Sequence, residues 1–329
     1  MTHPFEPSAA IAHLKKRAQL LQKTRAFFME RDVLEVETPL MCHTSVTDPA
    51  IESIPVLFRD LSKTIDETKQ YYLQTSPEYA MKRLLAAGAG SIYQISKAFR
   101  QGEIGRFHNP EFTMLEWYRV GFDHHALMDE TCELLQTLLN ISHVERISYQ
   151  NLFERFIGVD PHKVTISELQ HCAKELQIDV SGAIALDKAE WLNVLMSHVI
   201  EPKLGKDFPC FVYDFPVELS ALARIMQGDN SNQPDYAARF EVYYKGIELA
   251  NGFYELCDAD EQRKRFLTNL AVREKMGLSP IPIDEYFLAA LQHGVPDCAG
   301  VALGFDRLVM LALGLDKIQD VLSFDFKRV

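Results

Sequence analysis

The sequence is short of cysteine, of positive charge and of long apolar runs, and each shortage removes a class of protein. Its six cysteines, Cys42, Cys132, Cys172, Cys210, Cys257 and Cys298, are scattered and form no CxxC pair. That pattern argues against a disulfide framework or a cysteine zinc site and for a reducing, cytoplasmic setting. The opening residues MTHPFEPSAAIAHLKK hold no apolar run of the secretory type. The stretch VALGFDRLVMLALGL is interrupted by Asp306 and Arg307, so it does not read as a membrane span and no membrane partner is expected. Lysine and arginine number 34 against 46 acidic residues, a net charge of −12. Nucleic-acid binders usually present a basic face, so this balance weighs mildly against an RNA partner and suits a cationic one.

What is present fits one large catalytic domain spanning 1–329, with 47% hydrophobic and 24% charged residues. Ile11, Leu14, Ala18, Leu21 and Phe28 form one apolar stripe and predict a helix capped by Ser8 and ending near Arg31. VLEVETP alternates like a strand and stops at Pro39, and 44–70 reads as a loop and hairpin. Thr75-Ser76-Pro77-Glu78 reads as a helix start, with a hydroxyl at the cap and Pro at the first helical position. ISKAFR and EFTMLEWYRV are expected as strands flanking the loop RQGEIGRFHNP. Residues 124–206 look like a mostly helical, polar insertion without recognisable chemistry, in which His124 and His125 are taken as surface or core histidines. A hairpin in RFEVYYKGIELANGFYEL, a charged helix near 260–276 and a strand-to-helix unit in GVALGFDRLVMLALG complete the chain. Strand pairs with helices between them predict an α+β fold on an antiparallel sheet.

Four segments carry candidate chemistry. With a period of two, Phe112, Met114, Glu116 and Tyr118 share one strand face. A carboxylate on such a face needs a partner, and either a core salt bridge or a ligand ammonium satisfies it. If Lys245-Gly246 makes the hairpin turn, Tyr243 lies opposite Glu248 with Glu241 diagonal on the same face. Two carboxylates there suit a cation such as Mg²⁺ with substrate phosphates, although a solvated charged face has the same pattern. Asn251-Gly252 is expected to form a bulge or bend that re-aims Glu255 into the same cleft. In the third segment, GVALGFDR, the glycines allow close approach of a ligand and Arg307 offers a fork of donors for phosphate. In the loop, Arg100, Arg106 and His108 are either solvated or clamps for a polyphosphate.

These segments resemble a known family. FRQGEIGRFHNPEFTMLEWY resembles motif 2, GVALGFDR motif 3, and the first helix through LEVETP motif 1 of the class II aminoacyl-tRNA synthetases. TSPEY and ELANGFYEL resemble the lysyl subgroup, and the likeness spans roughly residues 10–329. The resemblance implies a class II catalytic core, ATP as substrate, Mg²⁺ as cofactor and a homodimer through motif 1 around Pro39. It implies that Arg100 meets the α-phosphate and Arg307 the γ-phosphate, that Phe112 stacks on adenine, and that Asn109, His108 and Arg106 hold the nucleotide. Leu249 and Gly304 lie beside the nucleotide in the same reading, and Glu241 and Glu248 position the metal. Glu116, Tyr118 and Glu255 take the side-chain ammonium of an amino acid. Ser76 and Glu78, with Pro77 between them, take its other amino group; Asn251 contributes, and Ala302 lines the pocket floor.

The sequence departs from the lysyl pattern in three places. Motif 1 begins almost at residue 10, so no anticodon-binding domain is expected before it, and a tRNA partner is not expected. Ala302 stands where those synthetases typically have glycine. Gly102 stands where motif 2 commonly has glutamate, with Glu103 beside it. The first two departures resemble the stand-alone paralogues of lysyl-tRNA synthetase. That likeness implies activation of (R)-β-lysine and its ligation to a lysine of translation elongation factor P. An α-lysine-activating enzyme with another acceptor and an inactive regulatory paralogue remain as alternatives.

Overall fold

The computed structural model describes residues 3–59, 62, 68–179, 186–228 and 234–329. The chain forms two compact units, one of Met1–Gly121, Cys257–Cys298 and Ala302–Val329, the other of Phe122–Leu256 and Ala299–Val301.

The first unit opens with α1 (Ile11–Met29), as the apolar stripe predicts. Its cap is Ala10 rather than Ser8; the Ser8 hydroxyl donates to Asp325 Oδ1 at 2.7 Å, which ties the chain start to the C-terminal segment instead. The expected LEVETP strand shrinks to β1 (Leu34–Glu35), paired parallel to a later strand. The hairpin expected in 44–70 forms between β3 (Pro55–Arg59) and β4 (Thr68–Leu73), with the short β2 (Met41–Cys42) on the other side of β4. Its connection, 60–61 and 63–67, lies outside the described residues. Helix α2 (Glu78–Ala86) follows, and then β5 (Ile92–Phe99) pairs antiparallel with β6 (Glu111–Val120) in unbroken register, Gln94 opposite Glu116. The two faces of β6 separate as the period of two requires. Trp117 is fully buried where Phe28 of α1 stacks on Tyr93 and meets the indole edge-on. The opposite face carries Glu116 and Tyr118, also buried.

The second unit begins with α3 (His124–Leu139), capped by Asp123, followed by β7 (Glu145–Ser148), α4 (Tyr149–Phe156), α5 (Ile166–Glu175) and α6 (Lys188–Leu195). Reciprocal capping boxes at Thr165/Glu168 and Asp187/Glu190 start α5 and α6. The helical expectation for 124–206 holds where it is described; residues 180–185 lie outside the described set. The polar expectation does not hold, because Tyr149, Leu152, Phe153, Leu169, Trp191, Leu192 and Leu195 form a buried cluster. These apolar residues recur at helical spacing between charged ones, so average polarity conceals one core-facing stripe per helix. Against that cluster lies a sheet of β8 (Cys210–Pro216), β9 (Ile225–Met226), β10 (Tyr236–Tyr244) and β11 (Ile247–Tyr254), antiparallel except for the parallel β7–β8 edge. Lys245 and Gly246, at φ of +52° and +72°, make the β10–β11 turn, as read from the sequence.

The chain returns to the first unit with α7 (Ala259–Lys275) and α8 (Glu285–His293); β12 (Cys298–Gly304), whose Ala299–Val301 count with the second unit, then leads into α9 (Phe305–Ala312). Asp306 holds α9 in place: it pairs with Arg17 of α1 at 2.6 Å and accepts from the Thr113 amide of β6 at 2.8 Å. Among the described residues no helix is long and apolar enough to cross a membrane.

Candidate active site

Three groups of predicted residues assemble, two in the first unit and one in the second. The first surrounds Glu116. Its Oε2 accepts from the Ser76 hydroxyl at 2.7 Å and its Oε1 from the Tyr118 hydroxyl at 2.6 Å. Tyr118 reaches it because residues two apart on a strand share a face. Ser76 reaches it from the turn before α2, where its oxygen also accepts from the Glu78 amide at 3.1 Å. That double use places Pro77 at the cap, one position earlier than expected. Burial, then the negative charge of Glu78, push Glu116 from its ordinary 4.5 to about 7. Gln94, directly across the strand pair, turns a buried Oε1 that has no hydrogen-bond partner among the described residues. A carboxylate and an orphaned amide oxygen on one face form an acceptor-rich wall for an ammonium.

Glu78 is paired already. Lys82, fully buried one helical turn on, donates to Glu78 Oε1 at 2.6 Å and lies 5.7 Å from the Phe287 ring centre. The sequence reading missed Lys82, although its i,i+4 spacing from Glu78 is a readable signal. Ser76 and Pro77 also line a cavity of about 260 Å³, together with Cys42, His43, Arg83 and Asp284.

The second group is cationic. The Arg100 guanidinium stands 5.1 Å from the Phe112 ring centre and 3.6 Å from Glu103. Gly102 has a φ of +80°, a left-handed position that a glutamate side chain would occupy only with strain. The acid that meets Arg100 is therefore its neighbour Glu103. Arg307, in the first turn of α9, donates to the Phe107 carbonyl at 3.3 Å and to His108 Nε2 at 2.7 Å. Burial, then the Arg307 charge, pull His108 below the usual histidine range, leaving a neutral ring to accept that bond. Arg106 points elsewhere, donating to the Asp316 carbonyl at 2.8 Å and side chain at 3.2 Å. Asn109 braces the loop, donating to the Glu111 carbonyl and accepting from the Phe326 amide. Ala302 is half-buried on β12, and a Cβ at Gly304 would meet only the Arg307 side chain, 3.5 Å away.

The third group lies in the second unit. Tyr243 is opposite Glu248, as the turn position predicts, while a register shift brings Glu241 opposite Asn251. The bulge expected at Asn251-Gly252 sits instead where the register slips between Val242 and Tyr243, leaving Leu249 as the extra, buried residue. Gly252 permits close packing instead, since a Cβ there would come within 2.5 Å of the Phe240 ring. Glu255 is buried and bridges backbone-to-backbone with Ala223. The cation expected near the two carboxylates is in part a protein group. Arg239 pairs with Glu241, which also accepts from the Tyr243 hydroxyl, and Arg239 Nε donates to Asn251 Oδ1 at 3.3 Å. Arg239, Glu241 and Tyr243 alternate on one strand face, a period-two signal the sequence reading left unused. They line a cavity of about 360 Å³ with Tyr149, Glu201 and the exposed Glu248, so the helical insertion supplies part of its wall.

A family model described as tRNA synthetases class II (D, K and N) matches residues 6–328. The chain belongs to that class II family. Its α+β fold, a large sheet flanked by helices, agrees with that membership. Among curated class II relatives, the Elongation factor P--(R)-beta-lysine ligase of Vibrio cholerae serotype O1 is 52% identical over 98% of each chain. The proteins of the same name from Vibrio atlanticus and Yersinia enterocolitica serotype O:8 are 50% and 49% identical, over 100% and 99% of each chain.

Proposed function

We propose that this class II core activates (R)-β-lysine with ATP and joins it to the ε-amine of a lysine of translation elongation factor P, acting in the cytoplasm as a homodimer through the Pro39 region. The observation that carries the reading is the buried Glu116, gripped by Ser76 and Tyr118 beside Glu78. Two carboxylates so close suit a small diamino acid with two ammonium groups, and (R)-β-lysine has two. The names and full-length coverage of the curated relatives support the acceptor.

In the first step the amino-acid carboxylate attacks the α-phosphorus of ATP, and pyrophosphate leaves as the acyl-adenylate forms. Arg100 takes the α-phosphate and Arg307 the γ-phosphate, stabilising charge that develops on the phosphoryl oxygens. Phe112 stacks on adenine. Glu116 and Tyr118 hold the side-chain ammonium while Ser76 and Glu78 hold the second amine. In the second step the acceptor amine attacks the acyl carbon, forming the amide and releasing AMP.

Mg²⁺ supplies neutralisation of the phosphate charge when bound. The donor set fits it through Glu248, whose exposed carboxylate with substrate phosphates offers the oxygen ligands this ion prefers. Glu241 keeps spare lone pairs on oxygens already committed to Arg239 and Tyr243.

Amino-acid-dependent ATP–pyrophosphate exchange tests the reading, comparing (R)-β-lysine with α-lysine and following mass gain on purified elongation factor P. Exchange and mass gain favouring (R)-β-lysine are expected. A preference for α-lysine moves the assignment to another acceptor, and absence of exchange with either removes the adenylating role.

A further inference from the structure

Helix α3 starts where β8 bends, and the two elements bring together three side chains that the proposed reaction leaves unused. Asp123 caps the helix through the Ala126 amide at 2.8 Å, which fixes the first turn and with it His124 and His125. Their rings are tilted by 37°, with centres 4.0 Å apart. Asp214 meets them from β8. Its φ of +57° falls where the β8–β10 register slips between Ala237 and Phe240. That kink turns the carboxylate toward the helix start, and Asp214 Oδ1 stands 2.9 Å from His124 Nε2.

An aspartate–histidine hydrogen bond alone would explain His124 and Asp214 but not the second imidazole beside them. His124 is only 3% exposed. A second imidazole is also pressed against the first, an arrangement that costs energy if both are charged.

We propose that His124, His125 and Asp214 bind a divalent transition-metal ion of the zinc type, clamping the start of α3 to β8. One ligand atom from each residue lies within 4.8 Å of the others. Two ligands each about 2.0–2.1 Å from a tetrahedral zinc stand roughly 3.3 Å apart, so the His124–Asp214 pair needs little movement and a rotation of His125 closes the third side. Two imidazoles and one carboxylate favour zinc, cobalt or nickel over Mg²⁺, which prefers oxygen donors. Three protein ligands leave the fourth position to water. The site lies within the second unit and does not draw on Glu241 or Glu248.

Titration of metal-stripped full-length protein with Co²⁺, read by visible d–d absorption, tests the proposal. One equivalent of Co²⁺ should give tetrahedral bands that Zn²⁺ displaces, and Zn²⁺ should raise the melting temperature. His125→Ala, at the surface, and Asp214→Asn should each lose the bands and the thermal shift while keeping their far-ultraviolet circular dichroism. Because neither residue touches the proposed substrates, both variants should keep pyrophosphate exchange. Bands that persist in both variants would assign the metal to other histidines, and absence of stoichiometric bands in the parent protein would overturn the site.

Discussion

The Tyr118 hydroxyl donates to Glu116 Oε1 at 2.6 Å, two residues along one strand face. That bond and the one from Ser76 favour the ionised carboxylate, yet burial and the charge of Glu78 outweigh them and raise Glu116 to about 7. Below that value Glu116 carries a proton and cannot pair with an ammonium; above it the carboxylate is available. Affinity for the diamino acid should therefore rise with pH, by close to tenfold per unit below 7, and level off above it. Calorimetric titration between acid and mildly alkaline pH measures this. Glu116→Gln should bind weakly with a flat profile, and a slope retained in that variant would assign the titration to another group.

Arg307 reaches the nucleotide side of the site from α9 and is oriented by the Phe107 carbonyl and His108. Arg307→Ala should lower the exchange rate by on the order of 10²–10³, the usual cost of removing one preorganised donor to developing charge. Turnover equal to that of the parent protein would dismiss the clamp. His108→Ala should give a smaller loss, since it only steadies the guanidinium.

Lys82 is fully buried against Glu78 at 2.6 Å. Lys82→Met leaves that carboxylate without its cation and should destabilise the fold by about 3–5 kcal/mol, as broken buried pairs do. Urea unfolding of the single variant and of Lys82→Met with Glu78→Gln separates the effects. Removing both charges should recover part of the loss.

Ala302 lies half-buried on β12, and the resemblance to the lysyl subgroup implies that its methyl lines the amino-acid pocket. Ala302→Gly should improve activation of α-lysine relative to (R)-β-lysine by about 1–3 kcal/mol, the range one methyl group commands in a pocket. Ratios of kcat/KM in pyrophosphate exchange report it directly. An unchanged ratio would place the discrimination elsewhere.

The β5–β6 strand pair, the Lys245-Gly246 turn and the shared face of Glu116 and Tyr118 could all be read from the chain alone. Each depends on neighbours a few residues apart, whose geometry is set by the periods of strand and helix. The position of the β10–β11 bulge could not be read, because it is set by pairing across the two strands, where Leu249 is the extra residue, and not by the Asn251-Gly252 dipeptide. The partner of Glu241 was signalled by the period-two spacing of Arg239, but only the burial of both decides that the two charges pair. The His124–Asp214 contact joins residues 90 apart in sequence, across a helix start and a strand kink. By itself the sequence determined the elements and the chemical types available, through local sterics and spacing. Tertiary structure alone decided which charges meet and which are already satisfied, because that depends on burial and on pairing between distant segments.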